Sequence, residues 1–235
     1  MAADNFKTNT LIACLALVLA VEGGAWIGIR AITLPPILLL GLIRLFQIAG
    51  IAWIVCAREG SLGPIGLEPD RWAEGLIKGF CWSAVFAVLA CIGMAAIWLL
   101  GRNPLLLLRA PLPGGNHQVL LLFLVGGLIG PVAEEIFFRG ILYTYFRSRG
   151  TRLARRMGLK GARQLSVCAA ILGSTLIFVV LHSIHGLPFT QIIGGLVFAA
   201  AYETSRNLLV PITIHVTGNL TIFAISLLPI SLFAS

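Results

Sequence analysis

The stretch "QVLLLFLVGGLIGPVAEEIFFRGILYTYF", residues 118–146, is one long apolar run with two glutamates and an arginine near its middle. As a helix at ~1.5 Å per residue it exceeds the ~30 Å of a bilayer's hydrocarbon core. A charge at mid-membrane costs at least ~2.5–3.5 kcal/mol even on the most lenient insertion scale. Glu134, Glu135 and Arg139 therefore each need a partner or a task.

The rest of the chain reads the same way. Its 235 residues are 58% hydrophobic and only 11% charged, with a mean hydropathy of +0.97. That is about half the charge density of an ordinary soluble domain. No segment alternates apolar and polar residues as a membrane barrel would, so we expect an all-α, polytopic transmembrane helix bundle. Uninterrupted apolar length places helices near 9–29, 34–57, 76–100, 118–146, 164–183, 189–204 and 207–234. The last contains Pro211 and Pro229 and reads as one tilted helix or two shorter pieces, giving seven to eight spans. A single membrane domain fills 1–235, with a chemically distinctive core over 118–235.

The five cysteines, Cys14, Cys56, Cys81, Cys91 and Cys168, lie in apolar segments without C-x-x-C pairs. They are expected to be small buried hydrophobes, neither a disulfide framework nor a thiolate metal site. "LIAC" at 11–14 resembles a lipoprotein cleavage box, but its apolar run follows the cysteine, so the first segment is expected to be a retained helix.

Lys and Arg set the orientation. Twelve fall on the side that carries Lys7, Arg58, Arg71, Lys78, Arg206 and the block "RSRGTRLARRMGLKGAR" at 147–163; only Arg30, Arg102 and Arg109 fall on the other. The expected topology has the N-terminus cytoplasmic, in a bacterial inner membrane. The net charge of +8 is then chiefly a topology signal. The basic block is expected to be a loop resting on anionic headgroups, and nucleic acid is not an expected partner.

Inside the spans the ionisable groups are few. Glu135 and Arg139 are one helical turn apart and can pair, whereas Glu134 points about 100° away and lacks that partner, which suits it to take and return a proton. The same four-residue spacing sets Phe178 beside His182 in "FVVLH" and His215 beside Asn219 in "HVTGN". A carboxylate, two imidazoles and a carboxamide on three helices are a set that can hold and activate a water. Counted from the basic flanks, Glu134, His215 and Asn219 reach similar depths, ~14–20 Å, while His182 lies ~27 Å along its helix. That depth requires its helix to start outside the bilayer.

These three segments, E-E-x-x-x-R at 134–139, F-x-x-x-H at 178–182 and H-x-x-x-N at 215–219, resemble in order and spacing the CPBP family of intramembrane proteases. It is also called the Abi or CAAX-protease-like family, and it includes the prenyl-protein endopeptidases of eukaryotes. The resemblance implies a glutamic-type peptidase in which Glu134 is general base and His182 helps hold the water. His215 and Asn219 would stabilise the oxyanion, with Glu135, Arg139 and Phe178 in support. It leaves open a zinc enzyme with Glu134, His182 and His215 as ligands, although no H-E-x-x-H pattern is present. It also implies a membrane-anchored or lipidated protein or peptide as substrate, cut for C-terminal processing or for removal of a leader or sorting signal. Two other readings remain: an idle family member acting in bacteriocin immunity or binding, and a small proton-coupled transporter. Four retained polar positions weigh against the first, and the lack of an inverted repeat against the second.

Among the remaining polar groups, Glu203 with Arg206 and Glu22 with Arg44 are expected to pair, the latter as a structural bridge with substrate contact as the alternative reading. His185 is expected at the interface, and His117 is given no role. Gly126 and Gly130 form G-x-x-x-G, a close-packing signal, and Pro131 is expected to free backbone groups, even to break the helix, one turn before Glu134.

Overall fold

A computed structural model describes residues 6–28, 33–182 and 189–229. Among them the protein is entirely helical: α1 (Thr8–Gly28), α2 (Pro36–Glu59), α3 (Trp72–Leu99), α4 (Asn116–Arg156), α5 (Ala162–His182), α6 (Phe189–Ser205) and α7 (Leu209–Ser226). Short 3₁₀ turns occupy 63–65 and 69–71, and a single turn covers Leu105–Leu108. Six helices are long and apolar enough to cross a membrane. The seventh, α6, has 17 residues, ~25 Å, and starts beside the undescribed residues 183–188. Among the described residues the final segment is one helix, because Pro211 falls in its first turn, where a missing N–H costs nothing; 230–234 lie outside them. His185 and Arg30 lie outside the described residues.

Local chemistry sets the helix ends. Pro36 opens α2, and Gly60 closes it at φ 88°, its N–H bonding the Cys56 carbonyl at 3.0 Å. Gly115, at φ 91°, precedes α4. The Asn207 side chain accepts the Leu209 N–H at 3.0 Å, tying down the start of α7.

Helix α4 is the central strut. It packs on α2, α5, α6 and α7, while α1 leans mainly on α2, and α3 on α7. Large apolar side chains such as Val85, Val88, Leu89 and Ile92 on α3 face outward, as a lipid-solvated helix requires. Four of the five cysteines follow this pattern: Cys14 alone is buried, and Cys56, Cys81, Cys91 and Cys168 are exposed, contrary to expectation. In lipid, an apolar residue has no need of the interior.

The basic ends gather on one side of the bundle. Lys7 reaches the Arg58 carbonyl, Arg149 reaches Thr8, and Arg71 donates to the carbonyls of Ser205 and Arg206 at 3.1 and 3.3 Å. The expected basic loop is mostly helix: α4 runs on to Arg156 and α5 begins at Ala162. Arg147 is no headgroup contact either, for it is buried and pairs with Glu203 at 3.0 Å. Glu203 also accepts from Tyr143 at 2.5 Å and from Arg206, confirming that pairing.

Close approach of α3 to α7 relies on two glycines. A methyl on Gly75 would stand 2.5 Å from Asn207 Oδ1, and one on Gly79 would stand 2.6 Å from Thr213 Cβ. Gly75→Val is therefore expected to destabilise the protein by about 1–3 kcal/mol through overpacking. Thermal denaturation in detergent checks this, with Gly93→Val on the open face of α3, where nothing lies within 4 Å, unchanged.

Candidate active site

Helix α4 is not broken at Pro131. It is widened on both sides into π-helical stretches, Val125–Ile129 and Ile136–Tyr143, around an α-helical turn at Gly130–Glu135. The Gly130 N–H bonds the Val125 carbonyl, five residues back. The Gly126 carbonyl would then look to residue 131, but proline has no N–H. Asn219 Nδ2 donates to that carbonyl at 2.9 Å instead. The freed backbone group expected from the sequence thus exists, and a motif residue satisfies it. π-turns widen a helix locally and frequently accompany functional sites.

The two adjacent glutamates diverge as their 100° separation requires. Glu135 points into the protein with no exposure, and Glu134 points toward His182 and His215 with its side chain 22% exposed. Glu135 Oε1 accepts from Arg139 Nη1 at 2.9 Å and from His215 Nδ1 at 2.8 Å. Arg139 Nη2 donates to the Gly195 carbonyl at 3.1 Å, and the guanidinium carbon sits 4.9 Å from the Phe178 ring centre and 5.3 Å from that of Phe198. This ion pair is sealed in aromatic walls. Breaking it would strand a charge, so it fixes the helices around it.

Glu134 meets both imidazoles. Its Oε2 lies 3.6 Å from His182 Nε2 and 3.8 Å from His215 Nε2. The His182 ring sets Nδ1 2.7 Å from the Phe178 carbonyl, which can only accept, so Nδ1 carries the proton and Nε2 faces Glu134. Phe178 also lies against His182, ring centres 4.3 Å apart, which explains the F-x-x-x-H spacing. His215 is held from its far side by Glu135 and stacked on Phe198 at 4.7 Å.

The depth of His182 follows from the helical extension. Counted from the turn after Arg156, both Glu134 and His182 lie roughly 30 Å along their helices, so the two meet. Asn219 sits one turn beyond His215 and is committed through one N–H to Gly126. The sequence had not pointed to Phe198, Phe138 or Gly195; the "GG" at 194–195 in α6 was the available signal. A methyl on Gly195 would come 2.7 Å from Thr175 Cγ2, so only glycine lets α6 bring its carbonyl to Arg139.

The donor types around Glu134 suit zinc, and the two imidazole nitrogens stand 3.6 and 3.8 Å from its carboxylate. Ligands on a tetrahedral zinc at ~2.0–2.1 Å stand about 3.3 Å apart. Among the described residues no group of three or more His, Cys, Asp and Glu side chains is placed to hold a metal ion.

Fold and site together define a multi-pass helical membrane protein with a carboxylate–imidazole centre inside the bundle. Residues 116–221, which include all three motifs, match the family described as type II CAAX prenyl endopeptidase Rce1-like. Through that segment the chain is similar to the CPBP, or CAAX-protease, family, and the likeness supports a protease. No curated protein and no solved structure matches the chain.

Proposed function

We propose that this protein is an intramembrane endopeptidase of glutamic type, acting on a membrane-associated protein or peptide. The observation that carries the reading is the convergence of both His Nε2 atoms on one Glu134 oxygen, with each ring's other nitrogen tied down. Glu134 takes a proton from a water held against His182 Nε2, and the water oxygen bonds to the peptide carbonyl carbon. The oxyanion that forms is met by the His215 ring at Nε2 and by the second N–H of Asn219. Glu134 returns its proton to the departing nitrogen as the C–N bond breaks. Glu135, held by Arg139, orients His215.

The prenylated C-terminal tails implied by the family's description are the first substrates to try, with leader and sorting peptides next. The same reading puts the N-terminus on the cytoplasmic side of a bacterial inner membrane, with Arg152, Arg155, Arg156, Lys160 and Arg163 against anionic headgroups; the one-sided basic ends support it. The single domain over 1–235 has its catalytic core in 118–235.

The deciding experiment is cleavage of lipid-tethered peptides in proteoliposomes with and without a zinc chelator. Unchanged cleavage under chelation, together with loss in His182→Ala, is the expected result. Loss under chelation that returns with added zinc would replace the glutamic mechanism by a metal-dependent one. Absence of cleavage would favour the binding or immunity reading.

A further inference from the structure

A second polar cluster lies beside the first and belongs to helices outside the matched family segment. Arg44 Nη1 on α2 donates to Glu22 Oε1 on α1 at 2.6 Å and to Gln47 Oε1 at 2.6 Å. Gln47 Nε2 donates to the same Glu22 oxygen at 3.0 Å. This is the bridge expected from the sequence, but it is lopsided. One guanidinium nitrogen and one carboxylate oxygen make every contact, and Arg44 Nε and Nη2 have no hydrogen bond among the described residues.

The cluster faces the catalytic helix. One turn before Arg44, Gly41 abuts Val125 in the first π-stretch, where a methyl would stand 2.8 Å from Val125 Cγ2. Gln47, one turn after, is 3% exposed. At ~1.5 Å per residue, Glu22 lies ~22 Å from Lys7, Arg44 ~21 Å from Arg58 and Glu134 ~20 Å from Arg147, so the three share one depth. The charge of Arg44 acts on both Glu134 and His182. Arg139 is sealed and committed to Glu135 and Gly195, whereas Arg44 is part-exposed and, among the described residues, has donors to spare.

We propose that Arg44 is a specificity-determining contact that receives a carboxylate of the substrate, either the chain terminus or an acidic side chain. The proposal rests on the reading of Glu134 as the hydrolytic base. A planar guanidinium with an unused edge matches a carboxylate's two oxygens, and a carboxylate entering a membrane site needs a cation waiting there. Glu22 holds the place: its side chain is 45% exposed, on a helix that leans chiefly on α2, so it can yield Arg44 to an entering carboxylate while the charge count at Arg44 stays constant.

The test uses lipid-tethered peptides in three forms: with free terminus and internal acid, with the terminus amidated, and with the internal acid replaced by its amide. Binding to Glu134→Gln protein in nanodiscs and kcat/KM of the wild type are both measured. One neutralised form is expected to bind and react at least ~10-fold less well, and the form that does so names the source of the carboxylate. Adding Arg44→Gln is expected to erase the difference and leave the weaker peptide unaffected, with Arg44→Lys restoring part of it. Glu22→Gln is expected to strengthen binding of the acidic peptide, the opposite of what loss of a structural bridge produces, and it decides the matter should Arg44→Gln fail to fold.

Equal handling of all three peptides, or a uniform loss in Arg44→Gln, overturns the assignment. Discrimination in binding without any cleavage keeps Arg44 and sinks the hydrolytic reading of Glu134. Cleavage without discrimination does the reverse.

Discussion

Glu134→Gln is expected to lower kcat by about 10²–10⁴-fold at nearly constant KM, the loss typical of removing a general base. Glutamine has the same shape and still meets His182, so substrate binding and folding are expected to persist. What is lost is the atom that takes the water's proton. Cleavage of a tethered peptide in proteoliposomes, at protein levels matched to wild type, provides the measurement, with thermal denaturation as control for folding. Full cleavage by the variant would remove the centre of the proposed mechanism and leave the Glu134 cluster as packing.

A comparably large effect, on stability, is expected from Arg139→Ala. Glu135 and Arg139 have no exposed side-chain surface, and removing the cation strands a carboxylate among Phe138, Phe178 and Phe198. Stranding one member of a buried pair costs about 3–5 kcal/mol. A matching fall in thermal stability in detergent is the readout. The double variant Glu135→Gln/Arg139→Met leaves no charge to strand and is expected to regain most of that stability. It is not expected to regain cleavage, because His215 Nδ1 then lacks the ionised acceptor that orients its ring. Recovery of both would reduce the pair to a packing element. A wild-type melting temperature in Arg139→Ala would refute the burial argument itself.

Much of the site was legible because helical spacing is rigid. Four residues make one turn, so Glu135 with Arg139, Phe178 with His182 and His215 with Asn219 had to share faces, and the structure joins the first two pairs directly. Helix positions were legible from apolar length for the same reason: nothing else satisfies a backbone in lipid. The misses share a different cause. A run of arginines looks like a loop, but α4 carries it as helix because Arg147 finds Glu203 on a distant segment. Pro131 looks like a break, yet Asn219, far along the chain, supplies the missing donor. The cysteines look buried because the rule linking apolar to interior holds in water and lapses in lipid. In each case a partner remote in sequence, or the solvent, decided the outcome.

The π-stretch at Val125–Ile129 has one more consequence. A π-turn is an α-helix carrying one surplus residue, so α4 changes angular phase across this stretch. Ahead of the surplus residue, one phase sets the stripe formed by Val125 against Gly41. Behind it, a second phase aims Glu134 at His182 and His215 and Glu135 into the core. Deleting one residue from the stretch would merge the phases and turn one end by about 100° against the other. The aim of the carboxylate is thus kept by arithmetic in the chain length, as a key is kept by the count of its teeth, and point substitution leaves that count untouched.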